Sequence, residues 1–245
     1  MDIKTWASEG SPRVGTLLSV DHVAVVEIAR LAGFDWLWID AEHGNFNEIS
    51  AATACAVNSG GPPAFVRLPD HAPTTIKRFL DIGCDGIILP QVNTSAEVDA
   101  IARAALYSPR GERSIGLTRA QGYGVRFVEY LNNKSYAIIV QIESVVGVQN
   151  ARAIIEHVAV DAVIIGPYDL SSSFGIAGEI DAPQVRDAIA AVLALCKDFG
   201  KPCGIFAATA ERAREYAKLN FDIIAIGIDS TTLLNGFTNL RNCLD

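Results

Sequence analysis

The chain has 245 residues, half of them apolar, and carries 20 Lys and Arg against 28 Asp and Glu, for a formal net charge of −8. This composition supports a packed core, and its acidic balance argues against nucleic-acid binding, which needs a basic face. The longest wholly apolar run, residues 188–196, is far shorter than the roughly 20 residues needed to cross a bilayer. The N-terminal sequence also lacks the basic-then-apolar layout of a signal peptide. We therefore expect a soluble cytoplasmic protein with neither a nucleic-acid nor a membrane partner.

Short apolar runs recur along the chain, and longer amphipathic stretches lie between them. The runs are rich in Val, Ile, Leu and Ala, which is typical of parallel strands buried on both faces. We predict strands over residues 14–19, 35–40, 64–68, 86–90, 137–143, 161–166, 202–206 and 222–227. Helices are predicted over residues 21–32, 74–82, 95–105, 182–199 and 209–219. Ser95 is a predicted helix cap, and Gly33 and Gly83 are predicted to terminate helices.

The alternation of strand and helix in one undivided chain predicts an α/β fold, a single (β/α)8 TIM barrel over residues 1–245. A doubly wound open sheet is the alternative, but no Gly-x-Gly-x-x-Gly sequence follows the first strand, where a dinucleotide site would lie. One connection, residues 107–135, is unusually long, and a short helix is expected near residues 126–131. Such a segment can be functional or a solvated insertion, and the sequence leaves both open.

Cysteine and histidine form no recognisable disulfide or metal pattern. The 5 cysteines are scattered without a Cys-x-x-Cys pair, which disfavours a disulfide framework or a zinc cluster. The 4 histidines lack the paired spacing of a histidine metal site. Any metal is therefore expected to have oxygen ligands.

Polar side chains follow the predicted strands, at the barrel end where enzymes of this fold place their chemistry. The second strand runs into Asp40, Glu42 and His43, and the third ends at Arg67. The next three strands end in or run into Gln91, Gln141, Glu143, Gly166, Tyr168 and Asp169. The last two strands end without a clear phosphate cradle, which disfavours a sugar-phosphate isomerase or synthase.

These residue types suggest individual roles. Glu143 and Asp169, on adjacent strands, can form a two-carboxylate site suited to Mg²⁺ or Mn²⁺. Asp40 lies three residues before His43 and can fix its tautomer for proton transfer. Arg67 can bind a carboxylate or a developing enolate. Structural alternatives stay open: helix caps for the two carboxylates, an ion pair for Arg67 and an ordinary hydrogen-bonded position for His43.

Together these motifs resemble the HpcH/HpaI aldolases, class II pyruvate aldolases that include 2,4-dihydroxyhept-2-ene-1,7-dioate aldolase. The matching segments occur in the same order between about residue 15 and residue 231. They are Trp36-x-x-x-Asp40-x-Glu42-His43, Arg67 before Pro69, Gly83-x-x-Gly86 leading to Leu89-Pro90, Gln141-Ile142-Glu143 and Gly166-Pro167-x-Asp169-Leu170-Ser171. The segments around His43 and Asp169 are specific in combination, and neither is specific alone.

The resemblance implies a metal-dependent carbon–carbon lyase that reversibly cleaves 4-hydroxy-2-oxo acids to pyruvate and an aldehyde. It assigns a divalent ion, Mg²⁺ or Mn²⁺ with Co²⁺ as a further candidate, to Glu143 and Asp169. It assigns enolate stabilisation to Arg67 and proton transfer to His43 paired with Asp40. Substrate contacts are implied for Arg67, Gln141, Gly166, Tyr168 and Asp169.

Two departures from the family pattern bear on the aldehyde partner. The usual Tyr-Pro-Pro-x-Gly-x-Arg-Gly segment reads Tyr-Ser-Pro-Arg-Gly-Glu-Arg-Ser over residues 107–114, and Tyr168 stands where such aldolases often have Ala. The resemblance also implies a homo-oligomer, a hexamer or a trimer. In that assembly the C-terminal helix, about residues 231–244, would pack on a neighbouring subunit.

Two other functions are alternatives at this point. A related barrel lyase of the citryl or malyl type would act on a CoA ester, but the sequence shows no obvious basic groove for the CoA phosphates. A non-catalytic binding barrel would have lost metal or proton-transfer groups, and all of them are present here. No lysine occupies a comparable strand end, which disfavours a Schiff-base mechanism.

Overall fold

The structure, a computed structural model, describes residues 2–8, 10 and 12–244. Within these residues, parallel strands close into an eight-stranded barrel in chain order. The strands are β1 Arg13–Leu18, β2 Trp36–Asp40, β3 Ala64–Arg67, β4 Gly86–Leu89, β5 Ala137–Ile142, β6 Ala162–Ile165, β7 Cys203–Ala207 and β8 Ile223–Ile228. Closure confirms the predicted TIM barrel and excludes the open sheet. Every predicted strand boundary lies within one residue of the observed one.

Helices surround this barrel and confirm the predicted ones, with ends shifted by at most two residues. They are α1 Ile3–Ser8, α2 Val23–Leu31, α3 Glu48–Val57, α4 Pro73–Asp81, α5 Ser95–Ala105, α6 Phe127–Asn132, α7 Val145–Gln149, α8 Ala151–Ile155, α9 Pro167–Ser173, α10 Pro183–Asp198, α11 Ala210–Lys218 and α12 Asp229–Arg241. In the described part of the chain, no helix has the length and apolar character needed to cross a membrane. The cytoplasmic location stays a prediction.

Helix ends follow the local sequence, with one correction. Gly33 and Gly83 have positive φ angles of 83° and 77° just after α2 and α4, as predicted. The cap of α5 is Thr94 rather than Ser95. The Thr94 hydroxyl accepts the Glu97 backbone N–H at 3.2 Å, and the Glu97 carboxylate accepts the Thr94 N–H at 2.8 Å. This reciprocal capping box leaves Ser95 as the first helical residue.

Large apolar side chains fill the interior of the barrel. The Trp36 ring lies 6.0 Å from Trp38 and 5.6 Å from Phe65, measured between ring centroids. Helix α1 covers one end of this cluster: Ile3 packs into it, and the Trp6 ring lies 5.9 Å from Phe65. The sequence analysis did not identify α1, a six-residue helix that buries its apolar side against the barrel interior.

On each strand, every second side chain points into the barrel, up to the mouth at the C-terminal ends of the strands. Successive side chains of a strand point to opposite faces, so Asp40 follows Trp36 and Trp38 into the interior. Arg67 follows Phe65 in the same way. The register of β2 and β3 places Asp40 directly beside Arg67. The inner layer is therefore apolar along the barrel and charged at its mouth.

A repeated aspartate joins the strands in pairs at the opposite, N-terminal end. Asp35, Asp85, Asp161 and Asp222 each precede an even-numbered strand. Each carboxylate accepts a backbone N–H from the start of the preceding strand, at 2.6–2.9 Å. The donors are Val14, Ala64, Ile138 and Cys203. The barrel thus repeats one two-strand unit four times.

The long connection after α5 is folded against the barrel. It contains a 3₁₀ helix, Arg119–Gln121, and α6, which confirms the short helix predicted there. Arg113 anchors the segment: its buried guanidinium donates to Asp81 at 2.5 Å and lies 4.8 Å from the centre of the Tyr107 ring. Two further tyrosine rings flank the same guanidinium. This part of the segment is a packed structure rather than a solvated insertion.

Candidate active site

An arginine lies between two carboxylates at the mouth of the barrel. Arg67 donates from Nε to Asp40 Oδ1 at 2.9 Å and from Nη2 to Asp40 Oδ2 at 2.7 Å. Its Nη1 lies 3.1 Å from Glu42 Oε2, and its guanidinium packs 5.2 Å from the Trp38 ring centre. Asp40 and Arg67 are both buried. Paired hydrogen bonds fix the plane of a guanidinium, so Arg67 has one orientation, and the ion pair considered from the sequence is present.

His43 lies with Glu42 on the loop that follows β2. Within the described residues, its imidazole makes no contact with Asp40. Asp40 Oδ1 instead accepts the backbone N–H groups of Glu42 and His43, at 3.1 and 3.3 Å. The His43 ring has its carboxylate contact with Glu42, at 3.7 Å from Nε2 to Oε2. The predicted pairing of the His43 ring with Asp40 is therefore wrong. The register places Arg67 beside Asp40, and Arg67 occupies both oxygens of that carboxylate.

Glu143 directly follows β5 and is held from two sides. Its Oε1 accepts the backbone N–H of Gln91 at 2.8 Å, and its Oε2 accepts a hydrogen bond from Gln141 Nε2. Burial, together with the negative charge of Asp169, raises the pKa of Glu143 to about 8. The cap of α7 is Ser144, so Glu143 does not serve as that helix cap. A carboxylate buried beside a like charge favours a nearby cation.

Asp169 lies in the first turn of α9, where Gly166 is the N-cap residue. A Cβ atom on Gly166 would lie 2.4 Å from Glu143 Oε2. Glycine at this position therefore lets the end of β6 approach the Glu143 carboxylate closely. The first N–H groups of a helix have no partner within the helix, so those of Tyr168 and Asp169 are suited to receive an anion.

The donor set fits a divalent cation with oxygen ligands. In the part of the chain that the structure describes, Gln141 Oε1 is buried and has no hydrogen-bond partner. The described residues contain no group of three or more His, Cys, Asp or Glu side chains able to hold a metal. Glu143 and Asp169 supply two carboxylates, and Mg²⁺ is commonly held by one or two carboxylates together with water and substrate oxygens.

Charged groups from the two halves of the mouth influence one another's ionisation. The charge of Arg67 favours ionised Glu143, while that of Asp169 disfavours ionised Glu42. Burial raises the pKa of Glu42, although Arg67 and His43 beside it favour its charged form. The sequence-predicted residues of strands β2, β3, β5 and β6 therefore act on one another's charge.

Two contributions could not be assigned from the sequence. The backbone N–H of Gln91, rather than its side chain, binds Glu143, and Gln91 has a positive φ of 49°. Glu42 is the carboxylate beside the His43 ring, a role that the sequence analysis did not assign. The sequence places Glu42 next to His43 but does not indicate the directions in which the two side chains point on a tight loop.

Tyr168 lies on the rim beside the last strands of the barrel. The residue is 40% exposed, and its ring centre lies 6.2 Å from that of Phe206 near the end of β7. Its backbone carbonyl accepts a hydrogen bond from the Ser171 hydroxyl at 2.7 Å, which fixes the first turn of α9. The ring therefore packs on one side and faces solvent on the other.

A protein-family model described as HpcH/HpaI aldolase/citrate lyase matches residues 13–236, which include all eight strands. The chain belongs to the HpcH/HpaI aldolase/citrate lyase family. This confirms the resemblance seen in the sequence motifs. The match extends from β1 into α12 and so spans the barrel and its mouth.

Two proteins that align with most of this HpcH/HpaI family chain are named aldolases. A hydroxypyruvate/pyruvate aldolase of Chromohalobacter salexigens is 37% identical over 232 residues, covering 93% of this chain and 91% of the relative. A 5-keto-4-deoxy-D-glucarate aldolase of Salmonella paratyphi A is 35% identical over 222 residues, covering 89% and 86%. A solved HpcH/HpaI aldolase/citrate lyase family protein from Burkholderia cenocepacia has a TM-score of 0.92 at 31% identity, covering 98% and 97%. The chain is an aldolase-type carbon–carbon lyase.

Proposed function

We propose that the chain is a divalent-metal-dependent pyruvate aldolase that reversibly cleaves 4-hydroxy-2-oxo acids to pyruvate and an aldehyde. The observation that carries this proposal is that one barrel mouth holds buried Glu143, Asp169 in the first turn of α9, and a buried Arg67 that both oxygens of Asp40 hold in place. Removal of a C3 proton from pyruvate requires neutralisation of the enolate charge. A cation at the carboxylates and a fixed guanidinium meet that requirement.

Each group at the mouth has a role in this chemistry. Glu143 and Asp169 would hold Mg²⁺ or Mn²⁺, with Co²⁺ as a further candidate, and the bound ion would polarise the 2-oxo group of the substrate. Arg67, oriented by Asp40, stabilises the negative charge that develops on the enolate oxygen. Gln141 lies beside the substrate and donates a hydrogen bond to Glu143. The first backbone N–H groups of α9 bind the pyruvate carboxylate.

His43 moves the proton in this proposal. In the cleavage direction the imidazole removes the 4-hydroxyl proton, the C3–C4 bond breaks, and the released electron pair forms the pyruvate enolate as the aldehyde leaves. The imidazolium then returns its proton to C3. Glu42, 3.7 Å from the ring, stabilises the imidazolium, and Asp40 orients Arg67 and the loop backbone.

The test is C3 exchange of pyruvate in D₂O with added Mg²⁺ or Mn²⁺, followed by NMR, together with cleavage of a panel of 4-hydroxy-2-oxo acids. We expect exchange without any aldehyde present, and formation of pyruvate from the panel. A chain that does neither with any divalent ion contradicts the proposal. Cleavage of a CoA ester without pyruvate exchange would favour the citryl or malyl type of lyase.

Tyr168→Ala is expected to change the preference among aldehydes and to leave pyruvate exchange unchanged. The substitution opens volume at the rim and removes one hydroxyl. The loss of one good polar contact costs about 1–3 kcal/mol, so the preference for a short hydroxyaldehyde over succinic semialdehyde should fall about tenfold or more. The measurement is kcat/KM for each aldehyde in the condensation direction, with Tyr168→Phe to separate the hydroxyl from the ring. Equal changes for both aldehydes would show that Tyr168 does not select the substrate.

A homo-oligomer, a trimer or a hexamer, completes the proposal. Leu234, Phe237 and Leu240 lie on one face of α12 and are 65%, 67% and 71% exposed. An apolar stripe of this kind is typical of an interface, which supports packing of the C-terminal helix on a neighbouring subunit. The mass of the protein in solution, measured by light scattering, distinguishes the assemblies from a monomer.

A further inference from the structure

Asp229 is a buried carboxylate that the proposed chemistry does not use. It is the first residue of α12, directly after β8, and is 8% exposed. Its Oδ1 accepts the backbone N–H and the hydroxyl of Ser19, at 2.9 and 2.7 Å, and its Oδ2 accepts the Val20 N–H at 2.9 Å. The Ser230 N–H also donates to Oδ1, at 2.7 Å. Asp229 therefore holds the start of the loop that follows β1.

That loop contacts the loop that carries His43. The Ser19 carbonyl accepts the backbone N–H of Asn45 at 3.0 Å. A Cβ atom on Gly44 would lie 3.1 Å from both Cα and the carbonyl oxygen of Ser19, and 2.3 Å from the Asp40 carbonyl oxygen. The Gly44 backbone is thus packed between the Ser19 backbone and the end of β2. Ser19 therefore contacts both residues that follow His43, Gly44 by packing and Asn45 by a hydrogen bond.

We propose that Asp229 is a positioning residue for His43, acting through Ser19, Gly44 and Asn45. The inference rests on the proposed function, in which His43 transfers the proton. The His43 side chain is 68% exposed, so the position of its backbone, rather than side-chain packing, decides where the imidazole lies. Misplacement of a reacting group by about 1 Å can cost about a hundredfold in rate. Asp229 thereby couples the end of β8 to proton transfer at the end of β2.

Asp229→Asn tests this role. The amide keeps the shape of the carboxylate but replaces one acceptor oxygen with an NH₂ donor, which then faces the donors of either Ser19 and Ser230 or Val20. We expect pyruvate C3 exchange to slow about tenfold or more. The KM for pyruvate should stay within about twofold of the native value, because the proposed pyruvate and metal groups lie on strands β3, β5 and β6 and in α9.

Asp35→Asn is the matched control. Asp35 accepts the backbone N–H of Val14 at 2.8 Å, near the opposite end of the same strand β1. The two carboxylates therefore hold the two ends of one strand; Asp35 accepts one hydrogen bond and Asp229 accepts four. A purely structural effect would lower exchange in each variant in proportion to its loss of thermal stability. The positioning role gives a loss of exchange in the Asp229 variant alone.

His43→Ala supplies the second readout. It is expected to slow exchange by about 10²–10⁴, and Asp229→Asn should add no further loss in that background, because the two residues act on one step. Equal losses in both backgrounds, or native exchange in Asp229→Asn, overturn the positioning role and leave the proposed function standing. Native exchange in His43→Ala overturns the proton-transfer role of His43 and the positioning role together.

Ser19→Ala keeps the inference testable if Asp229→Asn does not fold. This substitution removes the hydroxyl that donates to Asp229 at 2.7 Å and leaves the two backbone donors of the loop in place. A smaller loss of exchange is expected, again absent in the His43→Ala background. Native exchange in folded Ser19→Ala, or a loss that persists in the His43→Ala background, would overturn the inference.

Discussion

Glu143→Gln is expected to slow pyruvate C3 exchange by about a thousandfold or more and to abolish tight Mn²⁺ binding. Glutamine keeps the shape of the side chain but replaces one acceptor oxygen with an NH₂ donor and removes the negative charge that a divalent ion requires. A Lewis-acid metal contributes several kcal/mol to such reactions, and each 1.4 kcal/mol is about a factor of ten in rate. Removal of the ion from the native protein with a chelator should give the same loss, and added Mg²⁺ or Mn²⁺ should reverse it.

The same substitution should preserve the fold of the metal-free protein. Burial and the charge of Asp169 raise the pKa of Glu143 to about 8, so the folded state favours the neutral side chain. The stability that this protonated group contributes is present below its unfolded pKa and is lost as pH rises through about 8. The unfolding temperature of metal-free Glu143→Gln should therefore rise relative to that of the native protein as pH increases toward and above 8, because the amide does not ionise.

Mn²⁺ binding by electron paramagnetic resonance, exchange by NMR and thermal unfolding together check this prediction. Glu48→Gln is the control, since it removes the same charge from a carboxylate outside the candidate site, one that pairs with Arg78 at 2.7 Å. It should retain full exchange and full Mn²⁺ binding. Undiminished exchange in chelated native protein and in Glu143→Gln would refute metal-dependent catalysis at this site.

The barrel could be predicted because its signals are local. Runs that are apolar on both faces marked the strands, and an aspartate such as Asp35 or Asp222 stands immediately before each even-numbered one. Helix α1 gave no comparable signal. Six residues are too few to form a helix on propensity alone, and α1 depends on the contact of Trp6 with Phe65 inside the barrel.

The sequence predicted which residues lie at the candidate site but not which of them contact one another. The rule that catalytic groups follow barrel strands selected Asp40, Arg67 and Glu143. Proximity in sequence then suggested that Asp40 pairs with His43, three residues away. The register of β2 and β3 instead places Asp40 beside Arg67, 27 residues along the chain. Contacts of this kind form only when the barrel closes. The hydrogen bond between Ser19 and Asp229, which lie 210 residues apart in the sequence, is another example.

Arg67→Ala is expected to lower the free energy of unfolding by about 3–5 kcal/mol, because it leaves a buried carboxylate without its partner. Asp40 is 2% exposed and receives two hydrogen bonds from the guanidinium, at 2.9 and 2.7 Å. Glu42 loses its contact with Nη1 as well. Exchange should fall by about a thousandfold or more, since the variant loses enolate stabilisation and the support of the loop that carries His43.

Arg67→Lys separates charge from geometry. A lysine ammonium supplies the positive charge but cannot reproduce the planar fork that binds both oxygens of Asp40 and reaches Glu42. We expect it to recover part of the lost stability, measured by urea unfolding of metal-free protein, and little of the lost exchange rate. Arg78→Ala is the control: its ion pair with Glu48 is solvent-exposed, so it should cost no more than about 1 kcal/mol and leave exchange unchanged. Full exchange in Arg67→Lys would mean that the enolate needs only a nearby positive charge, and the oriented guanidinium would lose its place in the mechanism.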